Sequence, residues 1–274
     1  MTSLQANNKT VVITGSAGGI GAGMARAFFK RGFNVVLSDL NIQALTQCKI
    51  SICGDANHQQ IHSITCDVTK PEQVQALWQQ AIDKFGKIDY WINNAGLGAT
   101  NKTIAESDLT QLLRINDVNI NGVVIGTHVA LNRMKAQGGG RIYNTAGMGE
   151  NGFTRATMVS YGTTKRAVGY FSNGVAKEQQ DTNVAIGWLN PGMVITPMVI
   201  NDAKAMGEKR WRAEGRVMFR LFGQSAENCG EELVKRIVRD KGNGTFIKLL
   251  PTYKMIWGFC FNWFKQDKLK SYGI

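Results

Sequence analysis

Tyr161 and Lys165 are the pair of side chains whose types and spacing point most directly to chemistry. Residues four apart on an α-helix share one face, so the phenol and the ammonium group are expected to lie near each other. A phenol has an ordinary pKa of about 10, and a neighbouring positive charge favours its ionised form. The pair is therefore a candidate for exchanging a proton with a bound molecule.

A glycine-rich turn near the amino terminus is the second candidate site. It reads Thr14-Gly15-Ser16-Ala17-Gly18-Gly19-Ile20-Gly21-Ala22-Gly23 and separates a β-branched run from an amphipathic stretch. Such a turn lets the backbone approach a pyrophosphate, and the helix that follows offers unpaired N–H groups and the positive end of its dipole. Asp39 ends the next predicted strand, where a carboxylate can bind ribose hydroxyls. The pattern predicts a dinucleotide site.

Several further motifs resemble those of the short-chain dehydrogenase/reductase family. The spacing Thr14-Gly15-x-x-x-Gly19-x-Gly21 is similar to the family's glycine signature, and Tyr161-x-x-x-Lys165 is similar to its catalytic pair. The other matches are Asp67-Val68, Asn93-Asn94-Ala95-Gly96, Asn119 and Pro191-Gly192-x-x-x-Thr196. They occur in the family's order between residues 10 and 200. The chain is therefore identified as a member of this family.

The resemblance implies an NAD(P)-dependent oxidoreductase that transfers a hydride between a nicotinamide cofactor and a hydrophobic alcohol or carbonyl substrate. It implies that Tyr161 exchanges the proton, that Lys165 favours the phenolate and holds the nicotinamide ribose, and that Asn119 holds a helix kink and a water. The residues implied to contact the cofactor are Gly15, Ser16, Gly19, Ile20, Gly21, Asp39, Asp67, Val68, Asn94, Ala95, Gly96, Tyr161, Lys165, Pro191, Gly192 and Thr196.

The charge of Asp39 favours NAD(H), because a carboxylate at the ribose repels a 2′-phosphate. Phosphate-binding relatives often carry Arg or Lys just before the second glycine of the signature, where this chain has Gly18. The residues after Asp39 are Leu40 and Asn41, so no basic residue directly follows the carboxylate to bind a 2′-phosphate. NADP(H) remains the alternative, through Arg31 or Lys30 turning toward the site.

The family's catalytic serine is missing from the sequence. Counting back from Tyr161 with the usual spacing places it at Met148, whereas aligning the preceding strand on Asn144 places it at Gly147. Neither residue has a hydroxyl. Three interpretations are open: Thr145 or another nearby hydroxyl enters the site, amides of the glycine-rich loop donate to the substrate oxygen, or the protein binds cofactor without efficient catalysis.

The same loop, with Tyr161-Gly162-Thr163-Thr164-Lys165-Arg166, resembles chlorophyll b reductase-like members of the family, whose substrate is not carried over. An enzymatic alternative is reduction of a 3-oxoacyl chain on a carrier protein, because a basic lid suits an acidic carrier. Reversing Arg212 and Arg216 is the test of that alternative. A non-catalytic cofactor-binding protein is the other alternative.

β-branched runs alternate with helical stretches, which predicts βαβ units and a doubly wound, mainly parallel α/β sheet of the Rossmann type with helices on both faces. The predicted strands are Thr10–Thr14, Asn34–Ser38, Ile61–Cys66, Ile88–Asn93, Gly140–Thr145, Asn183–Asn190 and Gly244–Leu250. The predicted helices are 19–31, 41–50, 71–85, 103–136, 158–179 and 226–239.

Composition excludes several other classes of protein. Hydrophobic residues make up 43% and charged residues 19% of the 274, which is ordinary globular usage. The longest apolar stretch, Met255–Phe264, is about half of the ~20 residues needed to span a bilayer, and no signal-peptide core is present. The five cysteines form no C-x-x-C pair, and His58, His62 and His128 show no ligand spacing. We therefore predict a cytoplasmic protein with reduced thiols and no metal.

Two segments lie outside the βαβ rhythm. Residues 196–224 are predicted to form a substrate lid within a domain spanning 1–250, and 251–274 a basic, aromatic tail. Residues 201–274 hold 15 Lys or Arg and 8 Asp or Glu, a net charge of +7 out of +12. From this tail we predict peripheral association with an acidic membrane, because its aromatic residues suit the headgroup region and its lysines attract anionic lipids. These lysines are Lys254, Lys265, Lys268 and Lys270.

No RNA-binding fold signature accompanies the positive charge, so nucleic acid is not an expected partner. The family resemblance implies a homodimer or homotetramer built on the long helices around 103–136 and 158–179. The sequence identifies neither the substrate nor the physiological direction of the reaction.

Overall fold

A single parallel sheet of seven strands forms the centre of the molecule, as the alternation of elements predicts. The computed structural model describes residues 8–55, 58–261, 269 and 272–273. The sheet order is β3-β2-β1-β4-β5-β6-β9, and every neighbouring pair is parallel. Its strands are β1 (Thr10–Thr14), β2 (Asn34–Asp39), β3 (Ile61–Thr65), β4 (Tyr90–Asn93), β5 (Gly140–Thr145), β6 (Val184–Asn190) and β9 (Thr245–Lys248).

Helices cover both faces of this sheet. They are α1 (Gly19–Phe29), α2 (Ile42–Cys53), α3 (Pro71–Phe85), α4 (Leu109–Asn116), α5 (Gly122–Ala136), α6 (Val159–Glu178) and α10 (Ala226–Arg239). Successive strand residues point to opposite faces, so Val11 and Ile13 join one apolar cluster while Val12 joins the other. A strand buried on both faces reads as a continuous apolar run, which is how β1 appears in the sequence.

The chain reverses its direction of winding at β1 and β4, which lie side by side at the centre of the sheet. β1, β2 and β3 extend one way from this point, and β4, β5, β6 and β9 extend the other. In open parallel sheets, ligands bind in the crevice beyond the carboxyl ends of the strands at such a reversal. The glycine-rich turn after β1 and the Asn93–Gly96 segment that begins at the end of β4 both lie at this edge.

The predicted helix over 103–136 was wrong in its start and its continuity. α4 begins at Leu109, capped by the Asp108 side chain, which accepts a hydrogen bond from the Gln111 amide at 2.9 Å. A π-helical turn, Asp117–Asn121, then separates α4 from α5. π-Turns of this kind are frequent at functional sites.

The segment after β6 folds into short helices, as a lid requires. It contains β7 (Val194–Ile195), α7 (Pro197–Met206), α8 (Glu208–Trp211), a π-turn (Arg212–Arg216), α9 (Val217–Phe222) and β8 (Gln224–Ser225). β7 and β8 pair as a small separate sheet, which the sequence did not predict.

The tail begins with α11 (Thr252–Phe261). Its remaining predicted aromatic and basic residues, Trp263, Phe264, Lys265, Lys268 and Lys270, lie outside the described residues. Within the described ranges, no helix combines the length and apolar character needed to cross a membrane.

Candidate active site

The glycine-rich turn is held in one conformation by backbone contacts that leave no room for side chains. A Cβ at Gly15 would lie 2.6 Å from the Cα of Ala95. A Cβ at Gly21 would overlap the carbonyl oxygen of Gly15 and lie 2.7 Å from Nδ2 of Asn94. By contrast, a Cβ at Gly18 meets nothing within 4 Å, so open space faces the turn there. The turn is packed on its protein side and open on its outer side.

The turn after β4 is tied to this glycine turn by hydrogen bonds. The Thr14 hydroxyl accepts from the amides of Asn94 at 3.0 Å and Ala95 at 3.1 Å. The Asn94 side chain donates to the carbonyls of Thr14 and Gly15, each at 3.0 Å. The two segments therefore form one rigid wall, and Gly96 continues it toward Lys165, whose Nζ would lie 3.6 Å from a Cβ at Gly96.

Two carboxylates mark the ends of β2 and β3. Asp39 accepts hydrogen bonds from the amides of Ala17 at 3.2 Å and Leu40 at 2.8 Å, which fixes it beside the glycine turn. Partial burial raises the pKa of Asp67, but hydrogen bonds from Thr69 and the charge of Arg114 outweigh it and hold that pKa below its ordinary value. Asp67 is thus anionic at neutral pH, and both residues lie at the edge where an adenosine would lie.

The remaining predicted cofactor residues also lie along this edge. The Ser16 hydroxyl accepts from the Ser38 amide at 2.8 Å, and Val68 packs against Gly122 of α5. The Gly192 amide donates to the Asn190 side chain at 3.0 Å. Thr196 caps α7 and sits 3.5 Å from the position of a Cβ on Gly19, at the first turn of α1. The side chain of Ile20 packs on the core, which leaves its backbone at the helix start for a ligand.

This arrangement fits the adenine dinucleotide that the motifs imply. Open space lies over Gly18, the first turn of α1 presents its backbone N–H groups there, and Asp39 stands where the adenosine ribose would lie. Gly15, Ser16, Gly19 and Ile20 would hold the pyrophosphate, and Lys165 and Thr196 lie toward the nicotinamide end.

Asn119 lies within the π-turn and is completely buried. Its Oδ1 accepts from the Leu97 amide at 2.7 Å, and its Nδ2 donates to the Leu97 carbonyl at 3.0 Å and to the Thr164 hydroxyl at 3.1 Å. The side chain therefore links the segment after β4 to α6, the helix that carries Tyr161 and Lys165. The π-turn is the local widening that brings this amide between the two.

Tyr161 and Lys165 share one face of α6, as their spacing predicts. The Lys165 Nζ lies 5.5 Å from the centre of the Tyr161 ring and donates to the Thr145 carbonyl at 3.1 Å. Burial lowers the pKa of Lys165 to about 8. Burial, followed by the charge of Asp202, raises the pKa of Tyr161 to about 12. The phenol is therefore protonated at neutral pH, whereas the sequence argument expected the lysine to favour its ionised form.

Gly147, one of the two positions considered for the missing serine, lies beside the Tyr161 hydroxyl. A Cβ on Gly147 would lie 2.9 Å from the Tyr161 hydroxyl, so the tyrosine occupies the space a side chain would need. The Thr145 hydroxyl is buried and makes no hydrogen bond with the described residues. The amides of Gly147, Met148 and Gly149 donate to no acceptor within the described ranges. Gly147 therefore lies against the Tyr161 hydroxyl, in a loop whose amides at 147–149 have no acceptor in the described part of the chain.

Asp202 is a residue of the site that the sequence argument did not identify. It lies on α7, in the lid, and its Oδ2 would be 3.4 Å from a Cβ on Gly98. Met198, one turn earlier, lies 3.0 Å from the same position through its sulfur. Burial raises the pKa of Asp202, while a hydrogen bond with Asn101 opposes that shift. One signal was available: Asp202 is a carboxylate in a lid made mainly of basic and apolar residues.

Arg210 fastens the lid to the loops beside it. Its guanidinium donates to the Asn101 carbonyl and to the Thr157 hydroxyl, each at 3.0 Å. Asn101 and Thr157 both have positive φ angles, 59° and 67°, which residues other than glycine rarely adopt. These loops line an open depression of about 490 Å³. No group of three or more potential metal ligands occurs in the described part of the chain.

Known proteins resemble this chain in sequence. A sequence model of the short chain dehydrogenase family matches residues 9–207. A probable chlorophyll(ide) b reductase of Arabidopsis thaliana, a chloroplast protein, is 29% identical over 96% of this chain and 55% of its own length. The chain thus spans about half the length of the curated relatives at this level of similarity.

Two solved structures share the fold. A 3-ketoacyl-(acyl-carrier-protein) reductase from Brucella melitensis, complexed with NADH, superposes with a TM-score of 0.75 at 24% identity, covering 89% of this chain and 98% of that one. An actinorhodin polyketide ketoreductase with NADPH superposes with a TM-score of 0.79 at 23% identity, covering 89% and 97%.

Proposed function

The chain belongs to the short-chain dehydrogenase family of oxidoreductases, and from this premise we propose that it interconverts an alcohol and a carbonyl on a neutral, hydrophobic small molecule with NAD(H). The observation that carries the proposal is the Tyr161 hydroxyl, which lies against Gly147 with Lys165 on the same helical face. Reversible carbonyl reduction needs a positioned proton donor next to the cofactor. The Tyr161 hydroxyl is such a donor, because it lies at the edge of the sheet proposed to bind the dinucleotide.

When bound, the nicotinamide cofactor supplies or accepts the hydride. Tyr161 gives its proton to the carbonyl oxygen in the reductive direction, which suits a phenol whose pKa of about 12 keeps it protonated. Lys165, with a pKa of about 8, binds the nicotinamide ribose and its charge steadies the phenolate that forms. Asn119 positions both residues, because it ties α6 to the segment after β4.

We assign the serine's role to the amides of the loop that follows β5. Those of Gly147, Met148 and Gly149 have no acceptor within the described ranges, and Gly147 lies beside the Tyr161 hydroxyl. Backbone N–H groups directed at a developing oxyanion can replace a hydroxyl donor. Thr145 is the weaker candidate, because its hydroxyl is buried beneath the loop.

Met198 and Asp202 define the substrate side of the proposed pocket. The thioether offers an apolar contact, and the carboxyl group disfavours a negative charge on the substrate near the reacting carbon. Both properties support a neutral, hydrophobic alcohol or carbonyl compound. The reductases among the relatives are consistent with this reaction class, and their substrates are not carried over.

The test combines cofactor titration with turnover of a panel of hydrophobic ketones and alcohols. Tyr161→Phe should lower turnover by roughly 100 to 10,000-fold, the usual contribution of a positioned proton donor, while NADH affinity stays close to wild type. Tyr170→Phe is the matched control, since Tyr170 lies on the same helix and is 84% exposed. Tight NADH binding with no Tyr161-dependent turnover would favour the non-catalytic alternative.

The preference for NAD(H) is tested at Asp39. Asp39→Ser should raise the ratio of kcat/KM with NADPH to that with NADH by at least about tenfold, because 1.4 kcal/mol of relieved repulsion corresponds to that factor. Asp181→Ser, at an exposed carboxylate after α6, is the control. An unchanged ratio would mean that Asp39 does not choose the cofactor.

We further propose one domain over residues 1–250, with 196–224 as its lid and 251–274 as an appended tail, and a homodimer or homotetramer. Exposed apolar residues on α4, Leu109 at 67% and Leu113 at 53%, support contact between subunits. Sedimentation of the full chain measures the assembly. The cytoplasmic location stays a prediction.

A further inference from the structure

The first turns of the tail expose an unusual concentration of apolar surface. Four side chains of α11 are 57% to 68% exposed, and they constitute the aromatic face of that helix. They are Tyr253, Ile256, Trp257 and Phe261. Because an exposed large apolar patch, rather than a single exposed apolar residue, marks an interaction site, this face needs a partner.

The orientation of the aromatic face is fixed by contacts on the other side of α11. The Phe259 ring lies 5.1 Å from that of Phe222 on α9, in an edge-to-face arrangement, and Gly258 is buried. Tyr253, Trp257 and Phe261 are spaced four residues apart, so they form one stripe, and the last two rings are 4.9 Å apart. The helix is therefore anchored to the lid while its stripe faces away.

The charges closest to this face in the sequence are positive. Residues 245–261, from the start of β9 to the end of α11, contain Lys248 and Lys254 and no Asp or Glu. Residues 215–226, which include α9, contain two arginines and no carboxylate. Lys254 is exposed and directly follows Tyr253, the first residue of the stripe, in the sequence. An occupant that complements this surface must be apolar at its centre and negative around it.

We propose that the aromatic face of α11 docks the protein on the surface of a membrane that contains anionic lipids. A ten-residue helix is about 15 Å long, too short to cross the ~30 Å hydrocarbon layer but able to lie flat in the headgroup region. Tyr and Trp side chains are suited to that region, and lysines beside them bind anionic headgroups. This inference goes beyond the proposed reaction and does not depend on it.

Vesicle flotation of the full chain tests the proposal. We expect co-flotation with vesicles of equal parts phosphatidylcholine and phosphatidylglycerol, and weaker binding to phosphatidylcholine alone. The triple variant Tyr253→Ser, Trp257→Ser, Phe261→Ser should bind at least about tenfold more weakly, since less than 100 Å² of lost apolar contact accounts for that factor. Lys254→Glu should weaken binding to the anionic vesicles about fivefold or more, because each basic residue near such a surface contributes ~1 kcal/mol.

Control variants distinguish binding through this face from nonspecific binding through other exposed aromatic residues. Phe153→Ser and Tyr170→Ser remove side chains that are 59% and 84% exposed on other surfaces, and should bind vesicles as the wild type does. NADH affinity of the triple variant should stay unchanged, which shows that it is folded. Equal flotation of wild type and triple variant, or no flotation of either, would overturn the proposal. A triple variant that instead loses its assembly state, with no vesicle binding by the wild type, would assign the face to a second copy of the chain.

Discussion

The two sides of the candidate site are built in different ways. On the cofactor side, the glycine turn and the segment after β4 are locked by reciprocal hydrogen bonds among Thr14, Gly15 and Asn94. On the substrate side, the loop after β5 leaves amides without acceptors in the described ranges, and two residues beside the lid, Asn101 and Thr157, adopt positive φ angles. The first side is closed by contacts within the protein, and the second is left open for contacts with something else.

This difference explains why one side follows a sequence pattern and the other departs from it. Where an added Cβ would come within 3 Å of another stretch of backbone, as at Gly15, only glycine fits, and the spacing of glycines becomes a readable signature. Where a site is completed by loop amides and lid side chains, many sequences can supply equivalent donors. Departure from the pattern at Gly147 is thus compatible with an intact site.

The largest expected effect comes from breaking the cofactor side. Gly21→Ala places a Cβ against the Gly15 carbonyl and 2.7 Å from Asn94, neither of which can move without opening the turn. We expect a loss of stability of about 3 kcal/mol and NADH affinity reduced by at least about 100-fold, as for a forced shift in a packed segment. Thermal unfolding and NADH titration measure both quantities.

Gly18→Ala is the matched control for stability, because a Cβ there meets no protein atom within 4 Å and faces the space proposed for the cofactor. If both variants bind NADH like the wild type, the cofactor side is not the rigid wall described above.

The sequence predicted the sheet well, because its buried strands, like the glycine turn, leave a local pattern of residue types. Continuous apolar runs such as Val11–Ile13 identify strands buried on both faces, and the alternation with helices determines a parallel order. The apolar pattern did not predict the break in the helix around Asn119, and only the family resemblance implied a kink there. That π-turn depends on hydrogen bonds to Leu97 and Thr164, partners distant in the chain that no local pattern records.

A smaller effect is expected at the serine position. Gly147→Ser would restore the family's usual residue, yet its Cβ would come within 2.9 Å of the Tyr161 hydroxyl. We expect kcat/KM to fall by about tenfold, because displacing the tyrosine costs on the order of 1 to 3 kcal/mol. Steady-state kinetics with the best substrate of the panel provide the measurement.

Thr145→Val distinguishes the two donors that the sequence left open. Removing a buried hydroxyl that has no partner in the described ranges should leave kcat/KM unchanged and leave stability unchanged or slightly increased. A marked loss of activity in Thr145→Val would assign the serine's role to this hydroxyl. A gain of activity in Gly147→Ser would show that the loop amides are a poor substitute.

The candidate site was predictable only where each residue acts through its own neighbours in sequence. Tyr161 and Lys165 share a face because they are four apart, and the structure shows this directly. Asp202 reaches Gly98 because the lid folds back over the sheet edge, a contact across more than 100 positions. Lid residues of this kind become visible only when the chain is folded.

The smallest expected effect tests whether the lid influences the chemistry. The Asp202 carboxylate raises the pKa of Tyr161, because a phenolate beside another negative charge is disfavoured. Asp202→Asn should therefore move that pKa down from about 12, without reaching the ordinary value of about 10, since burial is the larger cause and remains. The limb of the pH–rate profile that reports Tyr161 should shift to lower pH in both reaction directions.

Asparagine can still hydrogen-bond to Asn101, so Asp202→Asn removes the charge while keeping the contact that positions α7. Asn101→Ala removes the contact and keeps the charge. It should change KM without shifting the Tyr161 limb of the pH–rate profile to lower pH. If the two variants shift the profile alike, Asp202 acts by holding the lid in place. If only Asp202→Asn shifts it, the open substrate side tunes the proton donor electrostatically, whereas the closed cofactor side acts on it through geometry alone.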